Sequence, residues 1–287
     1  MDVAVLAVPY HLGHMSLGMG AGPDRLLDAG VVDAVRLHGH EVEVERITLE
    51  PQPNEVAALF ETAAEVSSHV ADACDRGAFP LVLSGNCFCS LGAVAGVGRD
   101  LGVVWLDAHP DFNTAEGTTS GFADGMGLAI LTGTGWNALR ETIPGYRVVP
   151  ERNVILVGAR DINPAEETRL QASDITRLDV VEARSGLAPV AADLAAKTEG
   201  VYFHLDLDVL DPSEGRANEY AAAGGLRASE VSTAIDTVGR LVDMRAAAVT
   251  AYDPTLDPDG SLAETAIELV ARIVDTASVE RADRVSA

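Results

Sequence analysis

Two hydrophobic rhythms alternate along the chain. Short, nearly continuous apolar runs fall at 3–8, 41–47, 80–84, 102–106, 154–157, 175–181, 200–205 and 246–251, and read as strands buried on both faces. Between them lie longer alanine-rich stretches with apolar residues at helical spacing, at 23–37, 54–76, 164–171, 189–198, 228–241 and 261–276. Pro23 and Pro164 suit first-turn positions of such helices. Alternating strand and helix predicts an α/β fold with a mostly parallel sheet of about eight strands and helices on both faces. No linker, repeat or composition shift divides the chain, so one domain over 1–287 is expected.

In a sheet of this kind, chemistry gathers on the loops beyond the carboxyl ends of the strands. The polar, reactive residues do fall there, in 84–90, 107–120, 158–166, 206–212 and 252–257. Composition adds exclusions. A formal charge of −24 argues against nucleic acid or an anionic membrane held by a general positive field. No apolar run reaches the roughly 18–20 residues of a membrane span. The first residues lack a basic leader and read as a strand. Cys74, Cys87 and Cys89 make no disulfide framework, so a reducing, cytoplasmic location is expected.

Two acidic runs carry the chemistry. Asp107-Ala108-His109-Pro110-Asp111-Phe112-Asn113-Thr114 follows one strand, and His204-Leu205-Asp206-Leu207-Asp208-Val209-Leu210-Asp211-Pro212 spans the end of another. With period two, Asp107, His109 and Asp111 project to one side, as do Asp206 and Asp208. So much like charge is unfavourable without a cation. The reading is a divalent-metal site, with caps and turn acids as the alternative.

At these residues the chain resembles the arginase/agmatinase (ureohydrolase) family, over most of its length. The first run matches a D-A-H-x-D-x-N-T signature and the second D-x-D-x-x-D-P. Gly20-Ala21-Gly22-Pro23 and Asp253-Pro254-Thr255-Leu256-Asp257 resemble flanking motifs. The resemblance implies a three-layer α/β/α sandwich, a trimer or hexamer, a small guanidino-type substrate, and two Mn²⁺ ions that activate water against a guanidino carbon. Asp107 and Asp206 would bridge the ions, His109 and Asp208 would complete one, and Asp111 would bind the other and orient the attacking water. Asn113 and Ser120 match positions that hold a substrate α-carboxylate. Asn163 and Glu166 lie in a segment resembling the α-ammonium site, although both also suit helix capping.

Departures narrow the resemblance. Cys87 stands where the family has a metal-binding histidine. A thiolate matches Mn²⁺ less well than Zn²⁺, so either Cys87 binds a metal, or that ion is weak, or the site holds one ion, with Zn²⁺ or Fe²⁺ as alternatives to Mn²⁺; the other reading of Cys87 is apolar filler. Asp124 replaces a proton-shuttling histidine, a role a carboxyl could fill only with a raised pKa. Ala251 replaces the glutamate that pairs with the guanidinium, which leaves Asp253 or Tyr252 to take over recognition. His204 shares the face of Asp206; it is a catalytic or ligand-supporting imidazole or a core histidine. A cysteine at position 87 is similar to the Nω-hydroxy-L-arginine-hydrolysing branch of the family, which serves D-cycloserine biosynthesis and yields ornithine and hydroxyurea. The expectation is therefore hydrolysis of a modified guanidino or amidino amino acid. A non-catalytic family scaffold or a formimino hydrolase are the alternatives.

Overall fold

A computed structural model describes residues 1–285, with side chains to residue 278. In chain order the elements are β1 (Asp2–Val8), a small hairpin of β2 (Tyr10–His11) and β3 (His14–Met15), α1 (Gly22–Asp28), α2 (Val31–Leu37), β4 (Glu41–Arg46), α3 (Glu55–Asp75), β5 (Phe79–Ser84), α4 (Ser90–Val97), β6 (Gly102–Leu106), α5 (Gly127–Leu131), α6 (Asn137–Arg140), β7 (Val154–Val157), α7 (Pro164–Ala172), β8 (Thr176–Leu178), α8 (Val180–Ala195), β9 (Val201–Asp206), α9 (Ala228–Leu241), β10 (Met244–Thr250) and α10 (Ser261–Val285). Eight strands form one sheet in the order β4-β1-β5-β10-β9-β6-β7-β8. Every pairing in it is parallel.

The period-two alternation of the strands makes three layers. Val3, Val5, Leu83, Phe203, Leu205 and Val249 face Leu26, Val35, Ala191, Ile235 and Val270 from α1, α2, α8, α9 and α10. Ala4, Leu6, Val82, Trp105, Tyr202 and Ala248 face Val66, Ala93, Leu128 and Leu170 from α3, α4, α5 and α7. The expected α/β/α sandwich is thus present, with both faces of the sheet covered. No helix among the described residues is long and apolar enough to cross a membrane.

Several elements differ from the sequence reading, and the β2–β3 hairpin, α5 and α6 are additions to it. The helix expected at 23–37 breaks at Gly30, whose φ of +99° is left-handed, into α1 and α2. The strand expected at 175–181 stops at Leu178, because Asp179 makes a capping box with Glu182 and starts α8. Pro189, taken as the start of a helix at 189–198, therefore lies inside α8. Helix α4 was not expected, because glycines interrupt its pattern. A Cβ on Gly92 would lie 2.1 Å from the Ala63 carbonyl oxygen, so the glycine is what lets α4 approach α3.

Candidate active site

The carboxyl ends of β5, β6, β7, β9 and β10 open on one cavity of about 610 Å³. Its floor is buried acid: Asp107, Asp111, Asp206 and Asp208. Backbone amides fix these carboxylates. Asp107 Oδ1 accepts the His109 N–H at 2.7 Å, Asp206 Oδ1 that of Asp208 at 2.8 Å, and Asp208 Oδ1 that of Ala108 at 3.1 Å. The Trp105 indole N–H reaches Asp107 Oδ2 at 3.0 Å. The two acidic runs therefore hold each other in register across the β6–β9 pair.

Two donor groups result. Cys87, Asp107, His204 and Asp206 bring ligand-type atoms within 4.8 Å of one another, and Asp107, His109 and Asp208 form a second group that shares Asp107. The Cys87 thiol donates to Asp206 Oδ2 at 3.0 Å, and His109 Nδ1 lies 3.2 Å from Asp208 Oδ2. Asp111 Oδ2 is buried without a hydrogen-bond partner, on a residue whose φ of +48° is left-handed. An unpartnered buried carboxylate oxygen beside mutually repelling acids is what a cation site needs. The donor set fits a divalent metal.

The electrostatics agree. Burial, then Asp208, pushes Asp107 up to about 7. Burial, then neighbouring carboxylates, pushes Asp206 and Asp111 well up. His109 is pulled down by burial, but its contacts with Asp107 and Asp208 prevail and hold it up at about 12. Burial opposes ionisation of Asp208 too, yet the His109 contact keeps it low. His109 thus sits between two aspartates, whose field favours a positive charge at this end of the floor.

Cys87 lines the cavity beside Asp206, within 3.2 Å of Thr250 Oγ1. His204 lies beneath the floor and is not among the residues lining the cavity. Its ring stacks on Trp105 at 3.6 Å, with Ser90 Oγ 3.0 Å from Nδ1 and Thr250 Oγ1 3.4 Å from Nε2. Burial pulls it down to about 3, so it is a neutral imidazole. Asp124 lines the cavity, but it also accepts from Asn86 Nδ2 at 2.6 Å and from the amides of Phe88 and Cys87 at 2.8 and 3.3 Å. It fastens the Cys87 turn, and burial raises it to about 6 against those hydrogen bonds.

The other wall carries Asn113, Ser120, Asn163 and Glu166. Asn163 Nδ2 donates to Asn113 Oδ1 at 2.8 Å and to Glu166 Oε2 at 3.2 Å, while Glu166 Oε1 accepts the Phe112 N–H at 2.9 Å. Asn163 also caps α7, so capping and cavity lining coexist. Asp253 is not brought there: it caps the turn at Pro254–Leu256, accepting from Thr255. Tyr252 is likewise turned away, its hydroxyl donating to Asp257 at 2.7 Å. Ala251 does line the cavity, at a left-handed φ of +62°.

Sequence reasoning missed Asn218, Tyr220 and Glu55. Asn218 donates to Asp208 Oδ2 and to the Ala251 carbonyl, each at 3.1 Å, and so ties the acidic floor to β10. Tyr220 packs with Phe122 at 5.3 Å over the rim. None of the three sits in a motif; only polar residues on the loop after Asp211 hinted at the first two.

A model of the Arginase family matches residues 1–276. An arginase of Bacillus caldovelox is 33% identical over 292 residues, covering 93% of this chain and 96% of its own. The crystal structure of an arginase from Bacillus cereus superposes with a TM-score of 0.86 at 30% identity, covering 96% of this chain and 98% of its own. A formimidoylglutamase from Bacillus subtilis shares the fold, with a TM-score of 0.75 at 19% identity over 96% of this chain and 86% of its own.

Proposed function

The chain belongs to the arginase family, and on that premise we propose that this metal-dependent amidinohydrolase cleaves Nω-hydroxy-L-arginine to ornithine and hydroxyurea. The observation that carries the choice is Ala251. It puts a methyl group into the cavity where a carboxylate would pair with a guanidinium, while Asn163 and Glu166 keep an amino-acid-binding character. An N-hydroxyguanidine is neutral far more readily than a guanidine and needs no such partner.

Asp107, Asp206, Asp208, His109, Asp111 and Cys87 would hold two divalent ions, Mn²⁺ first among them, with His204 beneath as support or ligand. Ions held there supply acidification of a water and polarisation of the carbon under attack. Glu166 and Asn163 receive the α-ammonium, and Asn113 and Ser120 the α-carboxylate. Asp111 Oδ2, which has no partner of its own, accepts a hydrogen bond from the attacking water and aims it. Water oxygen adds to the guanidino carbon, the bond to the ornithine nitrogen breaks, and that nitrogen takes a proton. Asp124, which lines the cavity and is raised to about 6 by burial, would be the acid that gives it, regaining a proton from the added oxygen as the urea carbonyl forms.

The test is turnover of Nω-hydroxy-L-arginine, L-arginine, agmatine and N-formimino-L-glutamate by Mn²⁺-reconstituted protein. The expected result is ornithine with equimolar hydroxyurea, and a kcat/KM for the hydroxylated substrate at least about tenfold above that for arginine. Equal or better turnover of arginine sinks the substrate assignment, and no ornithine with Mn²⁺, Zn²⁺, Fe²⁺ or Co²⁺ points to a non-catalytic scaffold.

A further inference from the structure

One acid in the cavity wall has no part in the chemistry above. Glu55 is the first residue of α3, whose cap is supplied by Asn54 through the Ala57 N–H at 3.0 Å. Its carboxylate is therefore not occupied in closing the helix end. It lines the cavity, and its Oε1 is buried with no hydrogen-bond partner. A second buried orphan, His11 Nδ1, lies on the neighbouring hairpin. Burial pulls the His11 imidazole down, opposed by Glu219 and Glu55.

The strand order says which end of a substrate Glu55 meets. Helix α3 packs on the Cys87–Cys89 turn that follows β5. Glu166 and Asn163 follow β7. In the sheet, β5 and β7 are separated by β10, β9 and β6, the strands that carry Ala251 and the acidic floor. A substrate with its α-ammonium at Glu166 and its reacting carbon over that floor directs its far end toward β5 and α3.

We propose that Glu55 is the specificity-determining residue for the distal end of the substrate, accepting a hydrogen bond from the hydroxyl of an N-hydroxyguanidine. This rests on the preceding assignment of the amino-acid end to Glu166. The hydroxyl extends past the nitrogen on which it sits, so it reaches an acceptor that an unmodified guanidine leaves unmet. A buried acceptor without its donor disfavours the shorter ligand, which turns one hydrogen bond into discrimination.

Calorimetry in EDTA, where turnover does not consume the ligand, measures binding of Nω-hydroxy-L-arginine, L-arginine and L-ornithine to the wild type, E55Q and E55A. Glu55→Ala, which leaves no acceptor, is expected to weaken the hydroxylated ligand by about tenfold or more and the other two by less than about twofold; Glu55→Gln, which keeps a carbonyl acceptor, should lose less of the hydroxylated ligand. An equal loss for all three ligands overturns the assignment, because Glu55 then acts as general charge or structure; no loss overturns it as well. Unaltered thermal unfolding of E55A excludes a folding defect, and E55Q should show the same pattern more weakly. Wild type that binds the hydroxylated ligand but never cleaves it with metal refutes the proposed reaction while leaving the Glu55 result to stand on its own. Wild type that binds none of the three overturns the Glu55 assignment, while turnover with metal still decides the reaction.

Discussion

Arg160 straps the second acidic run to Gly158 and to the loop at Ala222 and Ala223, and its removal gives the sharpest structural prediction. It follows β7 and donates to the carbonyls of Gly158, Asp208, Val209, Leu210, Ala222 and Ala223. No carboxylate is among these partners. The shortest bonds run from Nη2 to the carbonyls of Ala222 at 2.7 Å and Asp208 at 2.9 Å. Hydrogen bonds to a charged group contribute about 1.5–3 kcal/mol each, and the longer ones less. The guanidinium is only half-buried, so some freed carbonyls regain water. Replacing Arg160 with Met, which keeps the length and loses the donors, should therefore destabilise the fold by about 3 kcal/mol. Because the Asp208 backbone is one of the groups held, Mn²⁺ affinity should fall by about 10- to 100-fold. Lysine restores the charge but not the planar fork, so R160K should recover less than half of either loss. Urea unfolding and Mn²⁺ titration read the two effects. An R160M protein within about 0.5 kcal/mol of wild type, with unchanged metal affinity, refutes the strap.

Three further outcomes are expected. Cys87→His should raise Mn²⁺ affinity by about tenfold, since imidazole suits that ion better than a thiolate; identical metal titrations would assign Cys87 to packing. Gly92→Ala should destabilise the protein by roughly 1–3 kcal/mol in urea, because a Cβ there meets the Ala63 carbonyl oxygen at 2.1 Å and α4 must move off α3; a neutral effect would mean that the two helices are not held that close. The third concerns Asp211, which accepts from Ser213, Gly224 and Gly225 and is held well below its ordinary value of 3.8. A depressed carboxyl stabilises above its unfolded pKa and loses that contribution as pH falls toward its folded one. The stability gap between wild type and D211N should be full near neutrality and shrink below about pH 4; a gap independent of pH contradicts this.

The sheet was legible because its strands are buried on both faces and so are apolar throughout, β1 from Val3 to Val8 being the plainest. Helix α4 was not, because its closest contacts are made by Gly92, where the signal is a missing side chain. The start of α8 was legible in principle through Asp179 and Glu182, but Pro189 drew the boundary inward. In the site, the two acidic runs were visible because strand periodicity fixes where consecutive carboxylates point. The contributions of Asn218, Glu55 and Arg160 arise from loops or helix ends meeting across the sheet, and no local spacing encodes that meeting. Asp253 was misplaced for the complementary reason. Its segment resembles a family motif, but a short turn uses the carboxylate for the Thr255 amide and hydroxyl.

The most direct test of the account is ornithine formation from Nω-hydroxy-L-arginine, measured while Mn²⁺ is titrated into metal-free protein and into its D206N variant. The account predicts no ornithine without metal, product that rises with occupancy and matches hydroxyurea mole for mole, and loss of both in D206N. Ornithine formed equally by the metal-free protein, or none at full occupancy, would contradict it.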